Sequence, residues 1–122
     1  NPTIEKVEQN RFQAVLDLQQ QYGGTIILKG AGSLIATASE YPHVWLADTG
    51  NPGMASGGMG DVLSGVLGGL LAQEGIDRTM VAPTGVALHG EAGNLARSAV
   101  GEYSLLATDV LKAIPQLLKT VK

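Results

Sequence analysis

At 122 residues, with 8 Lys+Arg against 11 Asp+Glu and a net charge of -3, the chain is the size of one compact domain able to bury roughly two-thirds of its unfolded surface. No basic run points to a nucleic-acid or membrane-surface partner, and no apolar stretch is long enough to span a bilayer. The absence of cysteine removes disulfide frameworks, cysteine-ligated zinc or iron–sulfur sites and thiol nucleophiles, and it suits a cytoplasmic home.

The opening NPTIEKVEQN is polar and acid-bearing, without the basic-then-apolar progression of a signal peptide. It starts without methionine on what reads as a helix N-terminus, as a piece of a longer protein would. Thr3 as N-cap, Glu5 in the first turn and Phe12, Val15 and Leu16 at helical spacing predict a helix over residues 4–21. Gly23 and Gly24 end it. The continuous apolar run Thr25 to Leu28 then predicts a strand covered on both faces, which favours a parallel sheet. Leu34 to Thr37 and Val44 to Ala47 are two further strands, paired as a hairpin through a turn around Ser39, Glu40 and Pro42.

Gly50 to Gly60 reads as a loop. From Asp61, Val62, Val66 and Leu70 form one stripe at i, i+4, and Leu63, Leu67 and Leu71 form a second beside it, which predicts a helix buried in the core. Its interior glycines, Gly65, Gly68 and Gly69, each cost about 1 kcal/mol relative to alanine, so close packing against neighbouring backbone is expected to offset them. A helix follows Pro83, with Leu88, Ala92, Leu95, Ala96 and Ala99 on one face. Thr108 and Asp109 cap a last helix, which Pro115 kinks or restarts. No repeat, linker or domain boundary is visible, so residues 1–122 read as a single α/β domain: a mostly parallel sheet flanked by helices, with a hairpin and a glycine-rich loop leading into a buried helix.

The strongest chemical signal is the run Gly50-Asn51-Pro52-Gly53-Met54-Ala55-Ser56-Gly57-Gly58-Met59-Gly60-Asp61, which feeds directly into a helix. The first amides of a helix have no intrahelical partner and lie at the positive end of its dipole, so glycines there admit an anion. No Gly-Lys-Ser/Thr closes the run, and Leu63 stands where a dinucleotide fingerprint needs its third glycine, so both of those standard phosphate motifs fail. What remains is an anion hole with a carboxylate at its mouth. A carboxylate so placed can take a proton from a hydroxyl attacking a phosphoryl group.

GGMGDVLSG resembles the signature of ribokinase-like kinases, and the longer NPGMASGGMGDVLSG resembles that of the NAD(P)H-hydrate dehydratase branch. LKGAGSLIA at Leu28 to Ala36, ALHGEAG at Ala87 to Gly93 and ATDVL at Ala107 to Leu111 extend the resemblance over nearly the whole chain. It implies a ribokinase-like fold and a reaction in which ADP or ATP, with Mg²⁺, phosphorylates the hydroxyl of hydrated NADH or NADPH. Phosphate then leaves and the ring double bond returns. By the family pattern Asp61 is the general base and touches the substrate. Gly58, Met59 and Gly60 form the anion hole, while Lys29, Gly30, Ala31, Gly32, Ser33 and Gly60 hold the nucleotide. Met59 replaces the more usual threonine or serine, at a position where only the backbone is used. The family's amino-terminal half, with its His-Pro segment, has no counterpart here. The resemblance further implies a homo-oligomer, an NAD(P)H-hydrate epimerase domain fused upstream, and no protein-ligated metal.

Plainer readings stand beside these. Asp61 alone is explained by a helix N-cap, Lys29 by a solvated strand end, and Gly30 and Gly32 by a turn. His43 and His89 read as structural groups. A ribokinase-like kinase of hydroxymethylpyrimidine or hydroxyethylthiazole would share the anion hole and base, and an inactive nucleotide-binding or oligomerisation fragment is the remaining alternative.

Overall fold

A computed structural model describes residues 10–30, 32–38 and 43–119. The chain divides into two compact units, residues 1–48 and 49–122. The expected cap at Thr3, the first-turn Glu5, and the turn at Ser39, Glu40 and Pro42 lie outside the described residues.

In the first unit, helix α1 (Arg11–Tyr22) is capped by Asn10, whose side chain accepts from the Gln13 amide. Gly23 ends the helix at φ 73°, its amide bonded to the Gln19 carbonyl. Strands β1 (Ile26–Leu28), β2 (Ser33–Ala36) and β3 (Val44–Ala47) follow in the order β1-β2-β3. Both pairings are antiparallel, with Ile27 opposite Ile35 and Ile35 opposite Trp45. The expected hairpin pairing of β2 with β3 is present. The expectation of a mostly parallel sheet does not hold among the described strands. Only residues 29–32 join β1 to β2, whereas a parallel crossover needs a dozen or more. β1 is half-buried along its length and lies at one end of the sheet among the described strands. Val15 of α1 closes the core against Leu34 and Ala36, with Leu16, Ile26, Leu28 and Val44 around them.

In the second unit a short 3-10 turn (Pro52–Ala55) leads to helix α2 (Met59–Leu71). A second 3-10 turn (Arg78–Met80), capped by Asp77, opens helix α3 (Val81–Val100), and helix α4 (Ala107–Leu118) closes the unit. Pro83 is tolerated in the first turn of α3, where its missing amide would have no partner. Capping of α4 comes from Asp109, whose carboxylate accepts from the Leu106 amide at 2.9 Å; Thr108 lies inside the helix. α4 runs through Pro115 as one element.

The core joins Met59 of α2, Ala92 and Ala96 of α3, Leu105, and Val110 and Ala113 of α4. Small residues on α3 let the helices approach closely. Leu88 is half-buried, and Leu95 and Ala99 are exposed, so the buried face of α3 is richer in glycine and alanine than its leucines suggest. The expected burial of α2 is also only partial. Met59 and Leu63 are buried, but Gly65, Gly68 and Gly69 are exposed, and a Cβ added at any of them would meet nothing within 4 Å.

Candidate functional site

The glycine-rich run lies on α3. Thr49 and Met54 fit against the helix where it carries no side chain: a Cβ at Gly90 would fall on Thr49 Oγ1, and one at Gly93 would fall on Met54 Sδ. Asn51 caps the 3-10 turn by accepting from the Gly53 amide at 3.1 Å, and its Nδ2 donates to Asn94 Oδ1 on α3 at 3.0 Å. Ser56 Oγ donates to the Leu105 carbonyl at 3.2 Å. The run is therefore tied at both ends before it reaches α2.

Gly58 is the N-cap of α2 at φ 88°, a left-handed conformation that glycine adopts without steric cost. Ala107 Cβ lies 3.1 Å from where a Cβ would sit there, so the position is closed to larger residues by space as well as by backbone. No side chain caps the helix. The first intrahelical bond runs from the Val62 amide to the Gly58 carbonyl at 3.1 Å. The amides of Met59, Gly60 and Asp61 therefore precede the helical ladder and lie at its positive end. The Met59 side chain points into the core and fixes α2, leaving its backbone at the helix opening.

Asp61 is the third residue of α2, inside the first turn, and exposed. The plainer reading of Asp61 as N-cap is thus not what the structure adopts, since Gly58 holds that position. Its carboxylate makes no hydrogen bond or ion pair with another described residue, and Ser64 Oγ turns back to the Gly60 carbonyl at 3.0 Å. Uncapped amides and a solvent-facing acid so close in sequence can hold oxygens of an anion and accept a proton beside it.

The other candidates belong to the first unit. Lys29 is exposed just past β1; Gly30 and Gly32 lie in the link to β2, and Ser33 is the first residue of β2. Ala31 lies outside the described residues. β1 and β2, on either side of this link, pair antiparallel. Sequence reasoning missed Arg11 here. Its Nη2 donates to the Leu28 carbonyl at 3.3 Å, and a Cβ at Gly30 would come within 2.8 Å of that nitrogen, so a guanidinium lies against the link. Asn94 was also missed, although its place beside the ALHGEAG stretch was a signal. His89 is buried on α3, and His43 packs edge-on against Trp45 with ring centroids 5.6 Å apart. Among the described residues no group of three or more His, Asp or Glu could hold a metal ion.

The chain superposes on the Bacillus subtilis protein YxkO with a TM-score of 0.89 and 28% identity, over 99% of this chain and 44% of that one. On the ADP/ATP-dependent NAD(P)H-hydrate dehydratase of Bacillus subtilis, co-crystallised with ATP/Mg²⁺, the TM-score is 0.85 at 28% identity, over 97% and 42%. The fold is accordingly ribokinase-like α/β. The family model described as NAD(P)H-hydrate dehydratase matches residues 2–116, and the chain belongs to that family.

Among curated relatives, the bifunctional NAD(P)H-hydrate repair enzyme Nnr of Vibrio cholerae is 48% identical over 115 residues, covering 94% of this chain and 22% of that protein. The ADP-dependent (S)-NAD(P)H-hydrate dehydratase of Neisseria meningitidis serogroup B is 35% identical over 112 residues, covering 91% of this chain and 37% of that protein. The chain thus spans 22% of the length of the first relative and 37% of the second.

Proposed function

We propose that this chain forms the carboxy-terminal part of one ribokinase-like domain catalysing ADP- or ATP-dependent dehydration of hydrated NADH and NADPH. The observation that carries the reading is the exposed Asp61 carboxylate in the first turn of α2, whose opening amides no side chain caps. In this reading Asp61 takes the proton of the substrate hydroxyl as its oxygen bonds to the terminal phosphorus of the nucleotide. The bond to the leaving nucleotide breaks, and the amides of Gly58, Met59 and Gly60 hold the phosphoryl oxygens. Loss of phosphate, with a proton from the neighbouring carbon, restores the ring double bond. Lys29 to Ser33, together with Gly60, would contact the nucleotide, and Arg11 adds a positive charge beside that link. Mg²⁺ bound to the nucleotide phosphates would supply charge neutralisation.

Similarity to the NAD(P)H-hydrate repair enzyme and dehydratases above supports the substrate class and the use of ADP or ATP, and the bifunctional relative supports a second activity on the same polypeptide, which we propose to be the epimerase. A homo-oligomeric, cytoplasmic enzyme belongs to the same proposal; no described helix is long and apolar enough to cross a membrane. The test supplies hydrated NADH, ADP and Mg²⁺ to the protein that carries this chain and follows the return of reduced-nicotinamide absorbance. Recovery that depends on ADP or ATP supports the assignment. No recovery, with phosphorylation of hydroxymethylpyrimidine or hydroxyethylthiazole instead, replaces it with a vitamin kinase, and inactivity on all three leaves a non-catalytic fragment.

A further inference from the structure

Asn94 lies outside the glycine-rich run and 43 residues from the side chain it meets. The chemistry of that meeting is one-sided. The Gly53 main-chain N–H can only donate, so it must face the oxygen of the Asn51 amide, as it does at 3.1 Å. The other end of Asn51 is then a donor, and position 94 has to present an acceptor, which Asn94 Oδ1 does at 3.0 Å. Both side chains are partly buried, so water replaces either of them poorly.

We propose that Asn94 is a positioning residue for the anion-binding loop. By accepting from Asn51 it holds the cap of the 3-10 turn Pro52–Ala55, and through that turn it sets where the amides of Gly58 to Asp61 emerge. The Met54 amide, bonded to the Asn51 carbonyl at 3.0 Å, closes the same turn. The Ser56 bond to the Leu105 carbonyl holds the far side. Asn94 touches no reacting atom. Its influence travels through Asn51, and what position 94 contributes is acceptor chemistry, not bulk or the amide's own donors. The kinetic half of the inference rests on the dehydratase reading; the structural half does not.

The test compares Asn94→Asp, which keeps an acceptor, with Asn94→Leu, which keeps size without one. Both are made in the protein that carries this chain, at a temperature where circular dichroism shows every variant folded. Amide hydrogen exchange is read for residues 53–61 and, as reference, for Ala107–Leu118. Loss of one hydrogen bond predicts roughly tenfold faster exchange over residues 53–61 in Asn94→Leu, with α4 unchanged and Asn94→Asp close to wild type. Steady-state kinetics with ADP and hydrated NADH predict roughly a tenfold lower kcat for Asn94→Leu with KM for ADP within about threefold, because the amides act most strongly on the transferring group. Asn94→Asp is expected to restore kcat.

Equal exchange in the two variants, exchange that rises throughout α4, or Asn94→Asp as impaired as Asn94→Leu overturns the proposal. Should Asn94→Leu fail to fold, Asn94→Ala removes the same acceptor without bulk and takes its place. Wild-type protein that never restores nicotinamide absorbance sinks the dehydratase reading alone, and Asn94 is then judged on exchange.

Discussion

Replacing Gly90 with alanine tests whether α3 is the bed of the loop. The added methyl would fall on Thr49 Oγ1 and stand 2.7 Å from Thr49 Cβ and 2.9 Å from its carbonyl carbon. Rotating the Thr49 side chain clears only the first of these, so backbone must move. Overpacking of this kind costs about 1–3 kcal/mol, and glycine to alanine inside a helix returns about 1 kcal/mol. Because main chain is in the way, the upper part of that range applies, leaving a net loss of about 1–2 kcal/mol. For 122 residues unfolding together that lowers Tm by roughly 4–8 °C.

Gly68→Ala is the internal control. It sits in a helix with the same backbone preference but meets nothing within 4 Å, so it should stabilise by up to about 1 kcal/mol. Thermal unfolding followed by circular dichroism reads both. A Gly90→Ala protein as stable as wild type, or raised in Tm alongside Gly68→Ala, would refute close seating of the loop on α3.

Two further predictions follow from the same unit. Met59→Ala removes a side chain only 6% exposed at the meeting of α2, α3 and α4, and should cost about 2–5 kcal/mol in chemical denaturation, compared with less than about 0.5 for Leu71→Ala on the exposed end of α2. Asp77 is held below its ordinary pKa by the Thr79 hydroxyl, which donates to it at 2.7 Å, and by the Thr79 amide at 3.0 Å. A lowered folded-state pKa means that the carboxylate's contribution is fully present above its unfolded value and fades as pH falls through the folded one. The Tm gap between wild type and Asp77→Ala should therefore narrow on acidification below the ordinary aspartate range; a constant gap would contradict that charge dependence.

How far the fold was legible depends on what each signal reports. The stripes of Val62, Val66, Leu63 and Leu67 found α2 because helical period is local, and Val44 to Ala47 was read with its correct bounds for the same reason. Direction of pairing is not local. The apolar run at Ile26 to Leu28 reports burial, which an antiparallel strand under a helix shares with a parallel one; the short link at residues 29–32 was the better guide. The glycines of α2 misled in another way. Composition shows that a helix can be approached closely, but not that anything approaches it. Within the candidate site, the loop and Asp61 were visible because anion binding needs a helix opening, which glycine marks. Asn94 and Arg11 were not, because the polar contacts that tie them to the link and the loop are distant in sequence and have no period to detect.

The central claim is that an acid and a set of helix-opening amides serve one phosphoryl transfer. It is tested most directly by Asp61→Asn in the protein that carries this chain, with ADP-dependent recovery of NADH from its hydrate and binding of ADP measured on the same preparation. Removing the proton acceptor while keeping size and amides predicts a kcat lower by about 100- to 10,000-fold with ADP affinity within a few-fold of wild type. Wild-type turnover in Asp61→Asn would show that the carboxylate is not the base, whatever the amides bind.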